Sequence, residues 1–154
     1  MKFEGIYPPV ITPYNDDYSV NFEHFSQIIE SLLMAGVDGL IIGGTTGEYH
    51  VQTVKERTES IRVAKSIIAD RAPMIVGIGA IRTEDCIQLG QLARDHGADA
   101  ILMNAPYYAV PTQSELAGHA LAIDRAVNLP IMLYNYPGRT GTTMQREFFD
   151  RISE

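Results

Sequence analysis

Three short stretches carry side chains that could do chemistry together. Gly43-Gly44-Thr45-Thr46-Gly47-Glu48 follows the apolar run Leu40-Ile41-Ile42. Its glycines let the backbone approach a ligand closely and take up positive φ, and its two threonines offer hydroxyl and main-chain N–H groups to a small anion. The spacing is not G-x-G-x-x-G, and it is not a phosphate loop, because Gly47 runs into Glu48, whose carboxylate would repel phosphate. A carboxylic or oxo acid held at Thr45 and Thr46 fits better, with plain turn chemistry as the alternative. Tyr134-Asn135-Tyr136-Pro137-Gly138-Arg139-Thr140-Gly141 supplies a phenol able to move a proton and a planar guanidinium suited to a carboxylate. Pro106-Tyr107-Tyr108 is the third stretch.

Composition narrows the partners. The chain has 154 residues, 45% of them hydrophobic and 20% charged, which is ordinary for one globular domain. A formal net charge of -7 leaves no basic patch to neutralise phosphates, so small molecules are expected and nucleic acid is not. Cys86 is the single cysteine, which points to a reducing compartment and to no intrachain disulfide. The chain's start lacks a long apolar core, and no stretch approaches the roughly 18 apolar residues of a membrane span. A cytoplasmic protein without membrane contact is therefore expected.

The elements that must position the three stretches alternate regularly. Strands are expected at residues 6–12, 37–42, 74–78, 98–103 and 130–134, each a continuous apolar run. Asn21 caps a helix carrying Phe22, Phe25, Ile28, Ile29, Leu32 and Leu33, which Gly36 ends. Thr53 with Glu56, and Thr112 with Glu115, form capping boxes. Pro73 is expected to break the helix begun at Thr53. Thr83 caps the next one, Gly97 closes it, residues 135–141 form a loop, and Thr143 begins the last helix. Two phrases repeat: Gly36-Val37-Asp38-Gly39-Leu40-Ile41 returns as Gly97-Ala98-Asp99-Ala100-Ile101-Leu102, and Pro73-Met74-Ile75-Val76 as Pro130-Ile131-Met132-Leu133. These are parallel β/α units.

Five such units fit an open doubly wound sheet by length, since a (β/α)8 barrel needs about 250 residues. The polar groups favour a barrel. Thr12, Thr45 and Thr46, Tyr107 and Tyr108, and Tyr134 with Arg139 follow four different strands, and only a barrel mouth gathers so many strand ends.

With these motifs in this order, the chain resembles, from about residue 6 onward, the dihydrodipicolinate synthase/N-acetylneuraminate lyase family of class I aldolases. The resemblance implies a TIM (β/α)8 barrel, assembled as a tetramer of tight dimers, of which residues 1–154 form a partial domain covering the first five units. It implies a lyase that binds a 2-oxo acid, usually pyruvate, as a Schiff base on a lysine of strand six, and condenses it with or releases it from an aldehyde. Neither metal nor organic cofactor is implied. Thr45 and Tyr134 match the family's proton relay, and Tyr108 the relay tyrosine that reaches in from a neighbouring subunit. Thr46 matches the residue that holds the oxo acid's carboxylate, within a turn that includes Gly44. Arg139 matches a residue that binds a carboxylate on the aldehyde, which disfavours a sialic acid. Gly79-Ala80 matches a turn near the pocket, and Tyr107 an interface aromatic.

Tyr49 and Asn104-Ala105 depart from the synthase pattern and keep sugar-acid aldolases or dehydratases open. The larger departure is the lysine. Lys2 precedes the first strand, and Lys55 and Lys65 lie in the helix after the second, so none stands at a strand's carboxyl end. The chain is therefore expected to be a fragment that is inactive alone. A non-catalytic half-barrel that self-associates through its raw edges, and a complete flavodoxin-like binding domain, are the competing readings.

Overall fold

The computed structural model describes residues 3–153, so Lys2 lies outside the described residues. Four parallel strands, β1 (Leu40–Ile42), β2 (Met74–Gly77), β3 (Ala100–Asn104) and β4 (Ile131–Tyr134), pair in the order in which the chain delivers them. The register sets Leu40 opposite Met74, Val76 opposite Ile101 and Asn104 opposite Tyr134. The last pairing brings two polar side chains together at neighbouring strand ends. They correspond to the second to fifth strands expected from the sequence.

The first expected strand is only partly there. Around residues 6–10 a single parallel bridge joins Pro9 to Ile41, with Val10 N–H donating to the Ile41 carbonyl at 2.9 Å and Ile41 N–H to the Pro8 carbonyl at 3.1 Å. Pro8 and Pro9 have no N–H to give, so the segment lies beside β1 without completing a ladder.

Helix α1 (Phe22–Met34) is capped by the Asn21 side chain, which accepts from His24 N–H. Helices α2 (Val54–Ile68) and α4 (Gln113–Val127) each open on the expected capping box, Thr53 with Glu56 and Thr112 with Glu115. Between them runs α3 (Thr83–Asp95). Helix α2 stops at Ile68, where Ala69 turns to positive φ, so Pro73 is not what ends it. Thr83 is the first residue of α3 and not its cap. Its hydroxyl is engaged with His119 Nδ1 at 2.9 Å, and Arg82, at the cap position, makes no side-chain capping bond.

The tail also differs from expectation. Within the expected loop lies a short helix, α5 (Pro137–Thr140), and the last helix, α6 (Arg146–Ile152), begins three residues after Thr143. The reason is local. Met144 N–H donates to Asn135 Oδ1 at 3.0 Å, while Gln113 takes the Gln145 N–H through Oε1 at 2.9 Å and donates to the Thr143 carbonyl at 3.0 Å. Those bonds hold residues 143–145 extended.

The core lies between helices and sheet. Phe25 and Ile29 of α1, Ile61, Ala64 and Ile68 of α2, Leu89 and Ala93 of α3, and Leu116, Ile123 and Val127 of α4 are buried with Leu40, Met74, Ile101 and Met103 of the strands. Close approach of the backbone completes it: a Cβ on Gly77 would meet the Gly43 carbonyl oxygen at 2.1 Å, so the end of β2 and the turn after β1 can touch only through glycine.

Candidate active site

Loops at the carboxyl ends of β1, β3 and β4 enclose a cleft of about 600 Å³. The turn after β1 contributes Thr45, Thr46, Glu48, Tyr49 and His50, the end of β3 contributes Asn104 and Tyr107, and β4 with α5 contributes Tyr134, Tyr136, Arg139 and Thr140.

Of the residues singled out from the sequence, Thr45, Thr46, Tyr107, Tyr134 and Arg139 therefore share one cavity. Among the described residues, no side-chain hydrogen bond or ion pair engages Thr45, Thr46 or Arg139, and the Tyr134 ring meets only Tyr136, tilted at 5.6 Å between centroids. Their polar groups are open to a ligand. Gly44 is buried against Ile41 and Pro9, with its carbonyl taken by Gly47 N–H at 3.0 Å, and does not line the cleft. Tyr108 stands outside, 91% exposed and at a φ of 69°, a left-handed conformation unusual for a bulky side chain. Thr12 lies behind the turn: its hydroxyl donates to the Gly47 carbonyl at 2.7 Å, and Gln52 Nε2 reaches the same oxygen at 2.9 Å.

One wall is a packed cluster built on Tyr49 and Asn104, which the sequence alone marks only as departures from the synthase pattern. Tyr49 meets Tyr107 edge-on at 6.4 Å, and the side-chain amide of Asn104 donates to its hydroxyl at 3.4 Å. A Cβ on Gly79 would strike both, at 2.4 Å from Asn104 Oδ1 and 2.7 Å from the Tyr49 ring. Burial, helped by Tyr107, pushes the Tyr49 phenol above its ordinary 10.0, so it is a neutral hydrogen-bonding group at neutral pH.

Arg57 lies behind that wall, only 8% exposed, with its guanidinium 5.2 Å from the Tyr49 ring centroid. It donates to the Gly79 carbonyl at 2.9 Å and to the Gly77 carbonyl at 2.8 Å. Burial draws its pKa down from the ordinary value. No carboxylate pairs with it among the described residues. The signal for Arg57 was present in the sequence, since it stands four residues before Ile61 on the buried stripe of α2. Asn104 could likewise have been read as the polar residue that ends the apolar run of β3. Tyr136 and His50 carry no such signal.

Among the described residues, no lysine lines the cleft. Lys55 and Lys65 are both on α2, and Lys65 Nζ donates to the Ala69 carbonyl at 3.1 Å. Among the described residues, no group of three or more His, Cys, Asp or Glu side chains is placed to hold a metal ion.

Comparison with known proteins gives the site its context. The Dihydrodipicolinate synthetase family matches residues 2–154. The 4-hydroxy-tetrahydrodipicolinate synthase of Bifidobacterium longum (strain DJO10A) is 36% identical over 99% of this chain and 50% of its own length. That of Synechococcus sp. (strain JA-2-3B'a(2-13)) is 37% identical over 100% and 50%. The crystal structure of chloride-inhibited dihydrodipicolinate synthase from Acinetobacter baumannii, complexed with pyruvate, superposes with a TM-score of 0.95 at 36% identity, covering 99% of this chain and 53% of that one. CdNal from Clostridium difficile, in complex with mannosamine, reaches the same TM-score of 0.95 at 24% identity, which speaks for the fold alone. The chain spans about half the length of the curated relatives it matches. Its parallel β/α units are half of a (β/α)8 barrel and not an open doubly wound sheet.

Proposed function

We propose, from the premise that this chain belongs to the dihydrodipicolinate synthetase family, that it forms half of a lyase site. The site binds a 2-oxo acid, pyruvate in the simplest case, and makes or breaks a carbon–carbon bond to an aldehyde that carries a carboxylate. One observation carries the reading: Thr45, Thr46, Tyr134 and Arg139, delivered by loops far apart in the chain, line one cleft with their polar groups unspent.

Each residue type suits a step. Thr46 holds the oxo acid's carboxylate, within the turn that Gly44 shapes. An amine adding to the carbonyl carbon gives a carbinolamine, whose hydroxyl must gain a proton to leave as water, and the resulting imine must lose a methyl proton to become the nucleophilic enamine. Tyr134 backed by Thr45 moves those protons, with Tyr108 of a neighbouring copy completing the relay. Arg139 binds the second carboxylate through its planar guanidinium. We place the amine on the half of the barrel this chain does not span. An attacking lysine must be neutral, which means lowering its pKa from about 10.4 to about 7 to 8. Lys55 and Lys65 sit on α2 and do not line the cleft.

The experiment has two parts. Titrating the chain with pyruvate is expected to shift the NMR signals of Thr45, Thr46 and Tyr134, and shifts scattered elsewhere would sink the reading. Reducing the mixture with borohydride is expected to leave the intact mass unchanged, whereas a stoichiometric adduct on Lys55 or Lys65 would overturn the assignment of the amine.

A second reading, a sugar-acid aldolase or dehydratase acting on a 2-keto-3-deoxy acid, is favoured by Asn104 and His50, which add hydrogen-bonding groups for hydroxyls to the cleft wall. The same proposal places the protein in the cytoplasm. Its support is that Cys86 is the single cysteine and is unpaired, as a reducing compartment would leave it.

A further inference from the structure

Between α2 and the strands β1 and β2 lies a second, much smaller cavity of about 10 Å³. Four polar residues line it: Thr12, Gln52, Arg57 and Ser60. Ser60 is 4% exposed, and its Oγ is buried with no hydrogen-bond partner among the described residues. That is unusual on this helix. A hydroxyl in a helix ordinarily bonds back to a carbonyl in the preceding turn. Thr58 does so to the Val54 carbonyl at 2.8 Å, and Ser66 to the Val63 carbonyl at 2.7 Å. Ser60 does not.

Two other groups at the cavity have unspent capacity. Of the five N–H groups on the buried guanidinium of Arg57, the Gly77 and Gly79 carbonyls take two. Gln52 Nε2 has two N–H groups for three acceptors in reach, the Gly47 carbonyl at 2.9 Å, Thr12 Oγ1 at 3.1 Å and the Tyr14 hydroxyl at 3.2 Å, while its Oε1 accepts from none of the described residues. The cavity thus gathers a hydroxyl, a cationic donor and an amide acceptor. Leaving the buried Ser60 hydroxyl without a partner is costly. A polar site with room for about one probe sphere, and two to four partners, is what an internal water requires.

We propose that this cavity is the binding site of one structural water, which accepts an N–H from Arg57, donates to Gln52 Oε1 and bonds Ser60 Oγ. The water ties α2 to the Thr12 and Gln52 brace that holds the Gly47 carbonyl, and so to the turn carrying Thr45 and Thr46. The site stands whether or not the cleft is a lyase site.

A crystal structure of the 154-residue chain, at a resolution that shows ordered solvent, is expected to show one peak about 2.7 to 3.2 Å from Ser60 Oγ and from an Arg57 nitrogen. An empty cavity, or Ser60 turned onto the Glu56 carbonyl, overturns the proposal. In solution, a long-lived water cross-peak to the Ser60 amide is expected in the wild type and lost in Ser60→Val, whose methyl groups fill the space. Its absence in the wild type, or its persistence in Ser60→Val, overturns the proposal as well. Should Ser60→Val not fold, Ser60→Ala, which removes one of the three partners, is expected to lose the cross-peak too, and full intensity there counts against the water.

Discussion

Arg139 and Gly77 show how differently single residues earn their place. Arg139 is exposed and unpaired among the described residues, so its removal leaves the fold alone. In an active assembly, Arg139→Ala is expected to weaken the carboxylate-bearing aldehyde by about 1.5 to 3 kcal/mol, the worth of a charge-assisted hydrogen bond, while pyruvate binding holds. Steady-state kinetics with each substrate varied in turn decide it, and a collapse of pyruvate binding alone would move Arg139 to another role. Gly77 is structural. Gly77→Ala drives a methyl into the backbone of Gly43, where no rotamer change can yield, and is expected to destabilise by about 1 to 3 kcal/mol or more, read from the denaturant midpoint. At this scale the sequence was legible where chemistry has a characteristic spacing, as in Thr45-Thr46 and Pro137-Gly138-Arg139. It was silent where a side chain's role depends on what packs against it, as for Tyr49 and for the carbonyls that Arg57 satisfies.

Helices were the most legible elements, because their starts are written in side chains. Thr53 and Thr112 each accept a backbone N–H three residues on, at 3.2 and 3.3 Å, and Glu56 and Glu115 return the bond at 2.8 Å in both boxes. Either Thr→Ala change is expected to cost about 0.5 to 2 kcal/mol. The boxes also make stability depend on acid. The Thr53 backbone N–H lowers the pKa of Glu56, and the Thr112 hydroxyl lowers that of Glu115, both from an ordinary 4.5. A depressed folded-state pKa means the unfolded chain takes up protons first, so the stabilisation is present above about 4.5 and fades as pH falls through the lower folded values. Protection of the Thr53 and Thr112 amides, taken as the exchange rate relative to the intrinsic rate at each pH, is expected to fall in that window, and to stay level through it when the glutamate becomes glutamine. An unchanged profile in the Glu→Gln variants would rule the boxes out as its source. The strand beside β1 was harder to read, since the same apolar residues that suggest a strand are interleaved with Pro8 and Pro9. The start of α6 was illegible because Gln113, distant in sequence, fixes residues 143–145.

For the molecule as a whole, the choice of barrel over open sheet came from counting strand ends that carry polar groups, and the likeness to solved family structures bears out the barrel. Thr45, Thr46, Tyr107, Tyr134 and Arg139 do share one cleft, whereas Thr12 lies behind the turn and Tyr108 stands outside. The cost of being half a barrel shows at the edge. Every residue of β4 is only partly buried, and Leu121, Leu129, Ile131, Leu133 and Ile152 border an open apolar groove beside it. A sheet edge with such a surface seeks a partner. The 154-residue chain is expected to show concentration-dependent association or a shallow unfolding transition. A monodisperse monomer by sedimentation that unfolds cooperatively would contradict this.

The strand order has a kinetic consequence. Because β1, β2, β3 and β4 pair strictly in sequence, each of them finds its neighbour already made as it emerges from a ribosome, and none of these pairings waits for a segment still to be synthesised. The loop closed at each of these additions is one β/α unit, so the entropy of each closure stays modest. These four strands can therefore be laid down during translation, one unit at a time.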